Sequence, residues 1–149
     1  MLKLRKNKKG FTLVELIVVI AIMAVLAGTV AGVTVTQLNK AKNDSALSDI
    51  KTLLGEFESF LASYDTSSIK DESTAEAAVN KFNTEKKAAK GLTADILTKK
   101  TASGTIPKAG TGQYVYTATV ADGKLTLTIE CDKVVSTGST PTATRSYEI

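Results

Sequence analysis

Lys8-Lys9-Gly10-Phe11-Thr12-Leu13-Val14-Glu15, followed by Leu16-Ile17-Val18-Val19-Ile20-Ala21-Ile22, is the stretch on which the reading of this chain turns. Cations stop at Lys9, a glycine follows, and an apolar run opens that a single acid interrupts. After Glu15 the next charged residue is Lys40, so Leu16 to Asn39 are 24 uncharged positions. Leu16 to Ala27 is apolar throughout. As a helix, such a segment rises about 36 Å at about 1.5 Å per residue. That covers a bilayer hydrocarbon core of about 30 Å. Thr29, Thr34, Thr36 and Gln37 gather toward the far end, so the span fades into a polar helix.

Working outward, the charge is unevenly placed. The 149 residues carry 19 Lys and Arg against 15 Asp and Glu, a formal charge of +4. Lys3, Arg5, Lys6, Lys8 and Lys9 all fall in the first ten residues; removing those five leaves 14 basic and 15 acidic residues, a net −1. A nucleic-acid-binding body needs positive charge clustered on its folded surface, so no nucleic-acid partner is expected. One cysteine excludes an intrachain disulfide and any Cys-only metal site. The absence of histidine removes the commonest general base and metal ligand. No catalytic residue, cofactor or metal is expected, and nothing marks a nucleophile with its base.

A basic run ahead of an apolar one also opens a secretory signal peptide. The apolar run here exceeds the usual h-region of about 7–15 residues. No Ala-x-Ala site is cleanly placed after it, although Val25-Leu26-Ala27 and Ala31 imitate one. Positive flanks stay in the cytoplasm, which puts the carboxy-terminal body outside. Glu15 is the anomaly, because an acid in lipid costs a few kcal/mol. Either it sits at the interface within reach of Lys8 or Lys9, or it is an intramembrane charge awaiting a partner.

Taken together, these residues resemble the leader of a type IV prepilin: a short basic segment, a glycine, a Phe, and a Glu at the fifth position after the cut. The resemblance covers about the first 35 residues. It implies cleavage between Gly10 and Phe11 by a membrane peptidase, and N-methylation of the new Phe11 amine. Glycine at the cut leaves the backbone open to close approach. The resemblance further implies that Glu15 guides assembly by pairing with the Phe11 amine of its own chain or of a neighbour. Such a pair at 4 Å gains about 1 kcal/mol in water and about 4 kcal/mol at an effective dielectric near 20. Gly28 and Gly32 have the Gly-x-x-x-Gly spacing. They read either as a close helix–helix contact or as a weak point of helix flexibility, since glycine costs about 1 kcal/mol against alanine. Many pilins carry a proline near the position of Gly32.

Downstream, Leu47, Ile50, Leu54, Phe57, Leu61 and Tyr64, widened by Leu53 and Phe60, mark one helical face. No Gly or Pro interrupts residues 36–46, so one helix from Phe11 to about Tyr64 is expected. Ser73 and Glu76 have capping-box spacing. They precede an alanine-rich helix to about Lys90, anchored by Val79 and Phe82, with Gly91 as C-cap. Lys81, Lys86, Lys87 and Lys90 read as a solvated face. Residues 101–112 read as loop. The period then changes to two, and Asp122-Gly123 reads as a two-residue hairpin turn. It pairs Val120 with Leu125, Ala118 with Leu127, Tyr116 with Ile129 and Tyr114 with Cys131, all on one face. The connection Ser136 to Pro141 leads to a last strand ending at Tyr147 and Ile149. Asn43-Asp44-Ser45 has the glycosylation pattern, weakly placed on a helix.

The expected fold is α+β: a long N-terminal helix, half membrane and half amphipathic, packed against a small antiparallel sheet. Its expected divisions are a cleaved leader 1–10, a transmembrane or filament-core helix 11–36, and an extracytoplasmic body 37–149. The body divides into helix 37–64, a variable helix and loop region 65–112, and sheet 113–149. The resemblance implies a structural subunit of a type IV pilus. The subunit starts as a single-pass membrane protein with a cytoplasmic N-terminus and ends in a surface filament. Its implied partners are copies of itself, the prepilin peptidase, the assembly platform, other pilins and the membrane. A pseudopilin of a type II secretion or DNA-uptake machine shares the same leader. A membrane-anchored binding module is the alternative of another class, but a plain anchor needs neither Glu15 nor the Gly10-Phe11 junction.

Overall fold

The computed structural model describes residues 10–134 and 139–149. The leader cations, the expected approach of Lys8 or Lys9 to Glu15, and positions 136–138 of the last connection lie outside the described residues. The chain divides into two compact units after Gln37.

Helix α1, Leu13–Leu61, runs for 49 residues. Its end falls three residues short of Tyr64. There Ser63 N–H donates to the Phe60 carbonyl at 3.0 Å and Tyr64 N–H to the Leu61 carbonyl at 3.1 Å, so the last turn tightens to i→i−3 bonding and stops. In the first unit the large apolar side chains are exposed, from Phe11 at 89% through Val19 at 46% to Val35 at 59%.

In the second unit α1 buries Ala46, Ile50, Leu53, Leu54, Phe57, Phe60 and Leu61. Leu47 and Tyr64 are only half-buried, so the apolar stripe is rotated slightly toward Ala46. Asn43 is also buried, and its Oδ1 accepts from Val134 N–H at 3.1 Å. That carboxamide is committed to the fold, which sets aside the glycosylation pattern.

Helix α2, Glu72–Lys90, starts from a different cap than the Ser73–Glu76 spacing suggests. Asp71 accepts from Thr74 N–H at 2.8 Å, and Asp71 N–H donates to Thr74 Oγ1 at 3.0 Å. Aspartate caps as well as serine does, and it comes two residues earlier. Glu76 is left to pair with Lys99. At the other end Gly91 takes the left-handed φ of 64° that closes the helix. Phe82 of α2 meets Phe57 edge-on at 5.3 Å and Phe60 at 5.6 Å between ring centroids. The surface lysines serve structure: Lys86 pairs with Glu56 at 3.2 Å, Lys87 pairs with Asp95 at 2.9 Å, and Lys81 lies over the Tyr64 ring.

Four strands follow: β1 Leu97–Lys99, β2 Tyr114–Ala121, β3 Lys124–Glu130 and β4 Thr142–Glu148, ordered β1-β2-β3-β4. The β2–β3 hairpin has the expected register, with Val120 opposite Leu125, Ala118 opposite Leu127 and Tyr116 opposite Ile129. Asp122 and Gly123 turn it with φ of 51° and 70°. Both lie in the left-handed region that a tight hairpin turn requires. β4 pairs antiparallel with β3. The sheet is nevertheless mixed rather than antiparallel, because β1 pairs parallel with β2, Leu97 opposite Tyr114. A three-residue strand is too short to show a period of two, so residues 97–99 pass as loop in the sequence. Tyr147 of β4 closes the core: its ring meets Phe57 at 5.4 Å, and its hydroxyl donates to the Leu54 carbonyl at 2.8 Å. The opposite face of the sheet carries hydroxyls, with Thr126 bonded to Ser146 at 2.9 Å and Thr128 to Thr144 at 2.8 Å.

Asn83 explains how so short a strand is held. It is buried on α2; its Nδ2 donates to the Leu97 carbonyl at 2.6 Å, and its Oδ1 accepts from Leu97 N–H at 3.1 Å. One side chain thus satisfies both outward backbone groups of Leu97. Asn83→Leu leaves two buried backbone groups unpartnered, at about 1–3 kcal/mol each. Chemical denaturation should show the body weakened by roughly 2–5 kcal/mol. A shift under about 1 kcal/mol would mean that water replaces the carboxamide.

Cys131 is buried within this core as a small hydrophobe. Burial, aided by the neighbouring charges of Asp132 and Glu130, pushes its thiol from 9.0 to about 11. The unfolded chain therefore releases this proton first as pH rises, and stability falls between pH 9 and about 11. Cys131→Ala should flatten the early part of that decline in denaturation midpoints taken at stepped pH. The tyrosines buried in the same core add their own loss above pH 10.

Candidate processing and assembly site

Gly10, Phe11 and Thr12 precede the first helical residue and are exposed. Among the described residues beyond its chain neighbours, nothing lies within 4 Å of the position a Cβ would take at Gly10. Phe11 is 89% exposed.

Thr12 and Glu15 form a reciprocal pair at the start of α1. Thr12 N–H donates to Glu15 Oε2 at 2.8 Å, the Thr12 hydroxyl donates to the same oxygen at 2.9 Å, and Glu15 N–H donates to Thr12 Oγ1 at 3.2 Å. This is a capping box, which satisfies donors that a helix start otherwise leaves bare. Its Thr-x-x-Glu spacing is legible in the sequence, but attention to Glu15 as a charge passes over it. The acid therefore has two attachments to consider: a local one to the helix start, and whatever its second oxygen meets. Oε1 has no partner among the described residues.

Along the first unit the hydroxyls turn inward on their own helix. Thr29 donates to the Leu26 carbonyl at 2.9 Å, Thr34 to Val30 at 2.9 Å and Thr36 to Gly32 at 3.1 Å. The polar end of the span thus presents little unsatisfied hydrogen bonding to lipid or to a neighbour. α1 runs unbroken through Gly28 and Gly32, and beyond its own helix backbone neither has an atom of the described residues within 4 Å of where a Cβ would stand. Among the described residues, α1 is the one helix long and apolar enough to cross a membrane. No group of three His, Cys, Asp or Glu side chains comes together among the described residues to hold a metal.

One family model matches, the prokaryotic N-terminal methylation motif, over residues 5–31. The chain carries the leader of a type IV prepilin. Comparison with curated proteins and with solved structures returned no match. The matched segment spans the Gly10–Phe11 junction, the Thr12–Glu15 box and most of the apolar helix. The chain as a whole has an α+β arrangement like that of type IV pilins, a long N-terminal helix with a small mixed sheet. A leader of this kind implies processing by a prepilin peptidase and assembly with other pilins, and the apolar helix fits membrane anchoring beforehand.

Proposed function

We propose that this chain is the structural subunit of a type IV pilus. The prepilin peptidase cuts after Gly10, the Phe11 amine is methylated, and the mature subunit polymerises through residues 11–36 into a surface filament. Residues 37–149 form its extracytoplasmic body. The observation that carries the reading is the methylation motif on a helix whose apolar side chains are exposed within its own unit. Cutting at Gly10 removes all five leader cations and keeps the helix that spans the bilayer. In lipid those exposed side chains are solvated, and in a filament each buries its neighbour's.

Glu15 works in this scheme as a test of register. Its Oε2 is already occupied by Thr12. The free oxygen can take the Phe11 amine exposed by cleavage, in its own chain or in the next subunit. A subunit docked out of register leaves both charges unpaired in a dry bundle, which is costly. Gly28 and Gly32 then allow close helix approach or local loosening.

Mass spectrometry of the mature protein should show an N-terminus at Phe11 carrying one methyl group. An N-terminus beyond Ala27 would reveal an ordinary signal peptide and overturn the proposal. Imaging tells the pilus from a pseudopilin: long surface filaments present in the parent strain and lost on deletion of this gene support the former.

A further inference from the structure

We propose that the end of the body that holds its first residues, Lys40 and Lys42, is a basic surface that seats on anionic phospholipid headgroups while the subunit waits in the membrane. The inference rests on the membrane-anchored reading of α1 and adds a lipid-binding face to it.

Three separate segments build the surface. Lys40 and Lys42 are exposed on α1, three and five residues past Gln37. Lys108 is exposed on the loop before β2, and Lys133 is half-buried on the connection after β3. The two loops are joined to each other: Ala109 N–H donates to the Asp132 carbonyl at 2.8 Å and Asp132 N–H to the Pro107 carbonyl at 2.7 Å. Both also sit on the start of α1 within the body. A Cβ at Gly110 would lie 3.7 Å from Lys42 Cγ and Cδ, and Val134 N–H donates to the buried Asn43 at 3.1 Å. Two segments far downstream in sequence, one of them 91 residues from Asn43, are thus brought to Lys42 and Asn43.

Many cations elsewhere on the body are neutralised: Lys86, Lys87, Lys99, Lys100, Lys124 and Arg145 are all paired with carboxylates. Lys40, Lys42 and Lys108 make no ion pair among the described residues, although Lys51, Lys70, Lys81 and Lys90 also make none. Asp44 and Asp132 are the exposed acids nearby, which leaves the four lysines in excess by two. Lysines just outside a membrane span place their ammonium groups at the headgroup level, and anionic lipid attracts each of them. A zwitterionic surface offers no such net attraction. Cleavage gives the contact a role, since it strips the other flank of the span of its five cations.

The test reconstitutes the full chain into vesicles of phosphatidylcholine, or of phosphatidylcholine and phosphatidylglycerol in equal parts. A membrane-impermeant amine-acylating reagent is added, and modification is read lysine by lysine by mass spectrometry. Lys42, Lys108 and Lys133 should react at least about threefold more slowly on phosphatidylglycerol vesicles, and 1 M salt, with a Debye length of about 3 Å, should erase the difference. Lys70 and Lys90, exposed elsewhere on the body, should react alike on both. In the double variant Lys108→Gln/Lys133→Gln, the protection of Lys42 should weaken. Equal rates on the two vesicle types, or equal slowing at Lys70 and Lys90, overturn the proposal. So does full protection of Lys42 in the double variant, which would reduce the effect to a helix end beside lipid. Release of the chain from both vesicle types by carbonate overturns the membrane-anchored reading, and this surface falls with it.

Discussion

Replacing Glu15 with valine is expected to leave the chain inserted in the membrane with its body folded, while sheared surface filament falls by at least about tenfold, the effect of losing about 1.4 kcal/mol per contact. Removing the carboxylate makes the helix more comfortable in lipid, by up to a few kcal/mol if the acid is buried there, so insertion does not suffer. The filament, in contrast, keeps a Phe11 amine without its counter-charge. Both changes favour the membrane pool. Valine also deletes the acceptor that holds Thr12 N–H and the Thr12 hydroxyl. Glu15→Gln separates the two roles, since glutamine at this position can complete a capping box but carries no charge. The register argument expects Glu15→Gln to fail as Glu15→Val does. Filament at parental levels from Glu15→Gln subunits alone would assign the acid to helix capping. The same result from Glu15→Val would make it incidental. The measured quantity is the ratio of sheared to membrane-bound subunit, with cleavage after Gly10 followed on the same samples.

Truncating Phe57 to alanine should cost the body about 3–5 kcal/mol, as buried Phe→Ala changes do. Phe57 is fully buried, and its ring is met by Phe60 at 5.8 Å, Phe82 at 5.3 Å and Tyr147 at 5.4 Å. Those contacts come from α1, α2 and β4, so the cavity opens where three elements join and no single one can move in to fill it. Native domains are stable by only about 5–15 kcal/mol, so the variant sits near the limit of folding. Leu54→Ala, at a site just as well buried, should cost about 2–5 kcal/mol. The check is the denaturation midpoint of the body produced without the apolar segment, which we expect to fold as a monomer. An unchanged midpoint for Phe57→Ala would mean that this face of α1 is not the core.

Where the sequence was readable, two kinds of signal agreed. The hairpin was legible because alternation on both sides of Asp122-Gly123 fixed one register, and a slip by one residue would have exposed Leu125, Leu127 and Ile129 together. The α1 stripe was legible from its steps of three and four. β1 was not, because its existence depends on Asn83 reaching from another element and on a parallel neighbour 17 residues away in sequence. The start of α2 was misplaced by two residues because Ser73 and Asp71 are both competent caps and local spacing does not choose between them. At the processing site, the leader and Glu15 stood out as chemistry. The hydrogen-bonded role of Thr12 was equally encoded, but it concerns backbone donors, which a scan of side-chain charge does not count.

The bond from Tyr147 to Leu54 has a consequence for the order in which the body can form. Its two ends are 93 residues apart. The β2–β3 hairpin and α2 close short loops and can form as soon as their own residues are free. The apolar stripe of α1 is different, because part of its cover is β4. A chain drawn across a membrane from its amino-terminal side delivers the stripe first and the residues of β4 last. For that interval Leu54 and Phe57 lack the Tyr147 ring, and the hairpin has an open edge where β4 will pair. Distant contacts are also the slow ones, since loop closure must be met before they give any return. If the body is extracytoplasmic as proposed, its completion is tied to completion of its transfer, and a subunit halted partway would present the surfaces that promote aggregation.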